Sequence, residues 1–232
     1  MINLFKRLIF VITRLKNNSD FYPTLLIHLF KTLPINMKKF TIFLALVLGI
    51  AATASSQVRF GLKAGLNLAN VTGDVEGTKS LATFMVGGQA EFGLAENIGL
   101  GVGLQLQGKG AKADGEDASI NPMYLQVPVY LTYRNSGFFA GVGPYVGFGL
   151  FGKSKFDGES VDLNFGSGID DDFSSLDFGA GLELGYEFSS LRASASYSLG
   201  LANALPKDQA DAFDLSAKHA VIGIALAYMF GE

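Results

Sequence analysis

Cysteine is absent from the chain, which excludes a disulfide framework, a thiolate metal site, a thiol nucleophile and the acylated cysteine of a bacterial lipoprotein. Histidine is scarce: of the two present, only His219 lies outside the first 56 residues, so zinc would find no second His or Cys ligand. Tryptophan is absent, prolines number six, and only 17% of residues are charged. Against these shortages stand 29 glycines and 20 phenylalanines among 232 residues, with 49% hydrophobic. Glycine without a G-X-Y period excludes collagen, and the apolar content excludes disorder. So much Gly and Phe with so little charge suits a sheet with apolar side chains on one face and very small ones on the other.

Charge is unevenly placed. Residues 1–56 hold seven basic groups and one acid, Asp20, whereas residues 57–232 hold eleven Lys/Arg against twenty Asp/Glu. The total of −3 therefore hides a basic leader and an acidic body. An acidic body argues against nucleic acid as a partner.

The leader has a recognisable grammar. Met37-Lys38-Lys39 is a short basic segment, 40–52 is an apolar run broken by one Thr, and Ala52-Thr53-Ala54 offers a small-residue cleavage site. This pattern predicts a helical secretory signal peptide over 37–56, removed near Ser55–Gln57. The apolar run is too short for a membrane anchor. Residues 1–36, apolar and basic, are read as an upstream extension from a start codon assigned too early, with a helical anchor as the alternative. The body, 57–232, is thus expected to be exported.

Within the body nearly every segment alternates with a period of two, the signature of a strand. Eight such segments occur, at 59–68, 83–94, 98–109, 123–134, 137–151, 176–188, 191–201 and 220–230. In 98–109, for instance, Ile98, Leu100, Val102, Leu104 and Leu106 oppose Gly99, Gly101, Gly103, Gln105, Gln107 and Lys109. Each segment is long enough to cross a bilayer when tilted. Connections at 95–97, 135–136 and 189–190 are tight, whereas 69–82, 110–122, 152–175 and 202–219 are long and polar. Short turns at one end and long loops at the other predict an all-β fold, an eight-stranded antiparallel up-and-down transmembrane barrel with its long loops outside the cell.

Which face is outside decides the class. An inward apolar face would make a soluble, lipocalin-like binding barrel. An outward one makes lipid the solvent and fills the lumen with the Gly and charged face, and the loop asymmetry favours it. On that face Lys63, Glu91, Glu183, Glu187 and Arg192 are expected to form a lumen ion network, with Glu187 roughly opposite Arg192 across the Ser189-Ser190 turn. Eight strands leave a lumen only wide enough for side chains, which disfavours a small-solute pore. Pro128 and Pro144 fall inside strands, so bulges or broken ladder bonds are expected there.

The segments Phe60-Gly61-Leu62-Lys63-Ala64-Gly65-Leu66-Asn67, Tyr124-Leu125-Gln126-Val127-Pro128 and Ala140-Gly141-Val142-Gly143-Pro144-Tyr145 resemble the PorT-like outer-membrane β-barrel family of Bacteroidetes. The resemblance spans 57–232 and rests on strand and turn geometry rather than chemistry. It implies an outer-membrane location, and prolines at these two positions are part of the family pattern. Some members are linked to type IX secretion, which implies an envelope or secretion protein as partner beside outer-membrane lipid. The family has no catalytic residue to carry over.

Candidate chemistry is sparse. His219 with nearby Ser216 and Asp214 is the set a lipid-modifying enzyme would need, but sequence proximity is not a triad. An acidic extracellular loop carries Asp157, Glu159, Asp162, Asp170, Asp171 and Asp172, either a solvated charged loop or a divalent-cation bridge to lipopolysaccharide or a partner. It lacks the order of an EF-hand loop. The Gly-x-Gly tracks follow the strand period and precede no helix, so they are not a phosphate cradle. No cofactor is expected. The sequence reads as a non-enzymatic envelope barrel whose loops engage a surface or secretion partner.

Overall fold

The computed structural model describes residues 58–75, 77–114 and 118–231. The readings made for 1–36 and 37–56 lie outside the described residues.

The period-two segments form the eight walls of a closed antiparallel ring. These are β1 (Val58–Gly73), β2 (Thr78–Ala95), β3 (Ile98–Gly108), β5 (Ala118–Asn135), β6 (Phe138–Phe156), β10 (Leu176–Phe188), β11 (Leu191–Gly200) and β12 (Ala217–Phe230). Shorter pieces lie at the long-loop end: β4 (Ala111–Ala113), β7 (Glu159–Asp162), β8 (Phe165–Gly166), β9 (Phe173–Ser174) and the helix α1 (Lys207–Phe213). Each wall strand pairs with the next around the ring, and β12 returns to β1 in an unbroken register from Phe60↔Phe230 to Gly73↔Ala217. Closure leaves no edge strand with unpaired backbone groups, the condition for a sheet in hydrocarbon.

The alternation separates two environments. Leu62, Leu66, Leu104 and Leu226 are 63%, 64%, 53% and 65% exposed, while their neighbours Lys63 and Gln105 are 4% and 7% exposed. Such a continuous apolar exterior has no place in water. The soluble lipocalin-like alternative requires the reverse orientation and is overturned by these exposures. No described helix is long and apolar enough to cross a membrane.

The tight connections all lie at the end that holds Val58 and Phe230. At the β5–β6 turn Ser136 and Gly137 both have positive φ (51° and 88°), the backbone a two-residue hairpin loop of the right twist requires. At the other end the strands run further than the alternation of apolar residues suggests. Much of 69–82 and 110–122, read as loop, is ladder: β2 begins at Thr78, and β4 pairs with both β2 and β5. Backbone pairing persists there after the outward apolar signal stops, because these tips stand clear of the apolar band and turn their apolar side chains, Ala69, Val71, Leu81 and Ala111, inward.

The two prolines behave as expected of residues without an N–H. The β3–β5 ladder lapses between Val102↔Val129 and Gln105↔Gln126, beside Pro128, and the β5–β6 ladder lapses between Pro128↔Tyr145 and Leu131↔Val142, beside Pro144. Register is kept across both gaps. Register shifts lie elsewhere: at Gly93/Ala95 in the β2–β3 ladder, and between Met123↔Phe151 and Tyr124↔Gly149, where one extra residue, Leu150, turns outward next to Phe151.

Candidate functional site

The inward face carries five cations, Arg59, Lys63, Lys109, Arg134 and Arg192, and four anions, Glu91, Asp177, Glu183 and Glu187. They stack in three tiers down the lumen. At the short-turn end Arg192 is the hub. Its Nη2 donates to Glu91 Oε2 at 2.7 Å and to Glu187 Oε2 at 2.6 Å, and its Nε donates to Glu187 Oε2 at 2.8 Å. Its guanidinium lies 4.4 Å over the Phe139 ring. Arg59 donates to the other Glu187 oxygen, and Arg134 Nε lies 2.9 Å from Glu91 Oε1 without hydrogen-bond alignment.

The middle tier pairs Lys63 Nζ with Glu183 Oε1 at 2.5 Å. Beside it an amide chain runs from Asn67 to Gln107 (3.3 Å) and from Gln107 to Gln126 (2.6 Å). In the upper tier Lys109 Nζ donates to Asp177 Oδ2 at 2.6 Å, with the two side chains 0% and 2% exposed. The Tyr145 hydroxyl donates to the same oxygen at 3.2 Å, and Lys109 Nζ sits 4.1 Å from the Tyr145 ring centroid.

These pairs reach across the barrel rather than along its wall. Lys63 and Glu183 lie on β1 and β10, Glu91 and Arg192 on β2 and β11, Lys109 and Asp177 just past β3 and on β10; each pair is three strands apart in a ring of eight. Glycine makes the crossing possible. A Cβ at Gly181 would collide with the Tyr130 hydroxyl, so the bare backbone there is what admits a tyrosine to the lumen. Two lumen cavities, about 30 Å³ among Gln89, Gln105, Arg192 and Glu183 and about 20 Å³ among Lys63, Asn67 and Gln126, hold little more than a water molecule each.

Above the upper tier the long connections between β6 and β10 and between β11 and β12 meet over the mouth. Leu163, Phe173 and Ala204 are buried against Val71, Ala111 and Ala217. Tyr124 ties this cap to the wall by donating to the Ser174 carbonyl at 2.8 Å and meeting Phe165 edge-on. His219 points into the same cluster, stacked on Phe173 and edge-on to Tyr124, with neither ring nitrogen hydrogen-bonded. Asp214 is an exposed C-cap of α1, and Ser216 gives its backbone N–H to Asp74. No Ser/His/acid relay is assembled from Ser216, Asp214 and His219.

All five residues read as a lumen network, Lys63, Glu91, Glu183, Glu187 and Arg192, thus lie inside with ionic partners, and Glu187 and Arg192 are direct ladder partners. They do not form one cluster: Lys63 and Glu183 are a separate tier. Arg59, Arg134, Lys109 and Asp177 are further members that the sequence reading does not name, although their inward parity is legible. The acidic loop is dispersed. Asp157 occupies the β6–β7 turn with φ 48°, Glu159 and exposed Asp162 lie on β7, and Asp162 is 3.8 Å from Lys153. Asp171 accepts from the Gly168 N–H and Asp172 from the Asn164 N–H, each bracing its own turn, while Asp170 is exposed. Among the described residues no three His, Cys, Asp or Glu side chains converge to hold a metal.

The hub gives a first test. Glu187→Gln and Arg192→Gln should each destabilise the barrel, and the double variant should lose less than the sum, with an interaction energy of about 0.5–3 kcal/mol in urea unfolding. Each partner keeps a second counter-ion, Arg59 or Glu91, which holds the single losses below those of an isolated buried pair.

Residues 50–205 match the model of the outer membrane protein beta-barrel domain. The chain belongs to that family. No curated protein sequence matches the chain. Solved structures similar to this outer-membrane β-barrel include Neisserial surface protein A, at 11% identity over 74% of this chain and 97% of that one (TM-score 0.45). Ail, the attachment invasion locus protein of Yersinia pestis, is 15% identical over 75% and 100% (TM-score 0.45). A major outer membrane protein from Thermus thermophilus is 14% identical over 75% and 99% (TM-score 0.43).

Proposed function

We propose that this outer-membrane β-barrel is a closed, non-enzymatic component of the cell envelope, exported with a cleaved signal peptide at 37–56 and presenting its long loops outside the cell to a surface or secretion partner. The observation that carries the reading is the three-tier ion network. Its pairs cross the lumen where a pore would need water, and the aromatic cap over Tyr124 and His219 blocks the mouth above them. The PorT-like motifs in β1, β5 and β6 favour a secretion-linked envelope role over general transport. An enzyme would need the His219 ring to meet a nucleophile and an acid; it meets Tyr124 and Phe173 instead.

Planar-bilayer recording tests the closed lumen. The native barrel should insert without conductance steps. Stable, ion-selective openings in the wild-type protein would turn the assignment into a small-solute pore.

A further inference from the structure

At the long-loop end one row of paired residues runs Lys79↔Lys112, Lys112↔Ser119, Ser119↔Lys155 and Lys155↔Ser160 across β2, β4, β5, β6 and β7. Residues paired across a ladder project from the same face, and this face is the outer one: Ser119 shares the parity of exposed Leu131 and Tyr133 on β5, as Lys153 and Lys155 share that of exposed Phe151 on β6. The row therefore stands on the exterior, two to four residues beyond the exposed, lipid-facing Phe151. Like charges directly opposed destabilise a sheet unless something neutralises them. Lys79 has Asp114 at 2.5 Å and Lys153 has Asp162 at 3.8 Å. Among the described residues Lys112 and Lys155 have no acidic partner within ion-pair distance, and Ser119 lies between them, one strand from each.

We infer that Lys112, Ser119 and Lys155 form a site on the barrel exterior for the phosphate of a membrane lipid whose acyl chains lie along the apolar wall below. Two ammonium groups on the outer strands and a hydroxyl on the middle one present donors from three sides to a single phosphate. Inter-strand spacing of about 4.8 Å puts the two lysines roughly 10 Å apart at the backbone, within reach of one anion for side chains of that length. Phe151 and Leu150, both turned outward by the bulge, supply the apolar wall directly beneath. A free anion would gain nothing from that wall, which is why a lipid is the occupant.

The inference rests on the lipid-facing reading of the barrel exterior, and the experiment separates the two, because a barrel that does not enter the bilayer yields no loaded nanodisc. The protein is reconstituted in phosphatidylcholine nanodiscs doped with phosphatidic acid or with diacylglycerol, and lipid retained after release is read by native mass spectrometry. Phosphatidic acid should be retained selectively by the wild type, and about thirtyfold more weakly by the Lys112→Gln/Lys155→Gln variant. Lys218→Gln, on β12 away from the row, should retain it like the wild type. Equal retention by wild type and double variant, or equal retention of diacylglycerol, would overturn the site. Displacement of the lipid by inorganic phosphate would show a free-anion site and overturn the lipid assignment.

Discussion

Lys109→Met should destabilise the barrel in lipid by about 3–5 kcal/mol, because Asp177 is then left charged in a lumen without its counter-ion. The pair is the most enclosed ion pair among the described residues, 0% and 2% exposed, and Asp177 keeps only the Tyr145 hydroxyl on the oxygen that Lys109 held. Its other oxygen already has no hydrogen-bond partner. Asp177→Asn combined with Lys109→Met should recover most of the loss, since no orphan charge remains and the substituted pair keeps similar volume. The heat-modifiable gel mobility of the folded barrel and its urea midpoint measure both. Additive losses would mean that the two side chains do not share a buried bond.

Leu104→Arg should cost about 2–4 kcal/mol in a bilayer, the penalty for a guanidinium near the middle of a lipid-facing strand. Leu104 lies midway along β3 and is 53% exposed on the apolar side. Gln105→Arg, one residue on, enters the filled lumen, where its cost is steric and that of an uncompensated charge, both independent of bilayer thickness. The distinguishing measurement repeats both variants in a thinner bilayer. The Leu104→Arg penalty should shrink as the charge nears the interface, and the Gln105→Arg penalty should not change. Equal behaviour at both positions would contradict the assignment of faces.

The walls of this barrel were legible because alternation reports burial directly. Leu62 against Lys63 and Leu104 against Gln105 each read correctly, since in lipid the apolar side must be the exposed one. The Glu187–Arg192 contact was legible for a second reason: a two-residue turn at Ser189-Ser190 fixes the register, so counting outward places the partners. Lys63 with Glu183 and Lys109 with Asp177 could not be paired that way. Their strands are not ladder neighbours, and which residues meet across a lumen depends on strand tilt and stagger, which no local pattern encodes. The cap was hidden for a different reason. Leu163 and Phe173 sit in a Gly-, Asp- and Ser-rich stretch without periodicity, Ala204 sits in the separate connection between β11 and β12, and all three are buried by closing over the mouth rather than by joining the ring. The extended tips of β1 and β5 keep an alternation, but with the apolar residues Ala69, Val71 and Ile120 facing inward, the reverse of the lipid-facing pattern, so they do not read as continuations of the same strands.

The native chain has no cysteine, so a single introduced thiol reports one position. A cysteine scan along β3 from Leu100 to Gln107, with the folded barrel in nanodiscs offered a small thiol-reactive fluorophore, tests the lipid-faced, closed barrel most directly. Thiols at Leu100, Val102, Leu104 and Leu106 should take the label, and nitroxide-bearing lipid should quench it, with a period of two. Thiols at Gly101, Gly103, Gln105 and Gln107 should stay unlabelled, because the filled lumen has no room for the fluorophore. Labelling of the inward positions in the folded barrel would contradict the filled lumen, and loss or inversion of the two-residue period would contradict the lipid-facing wall.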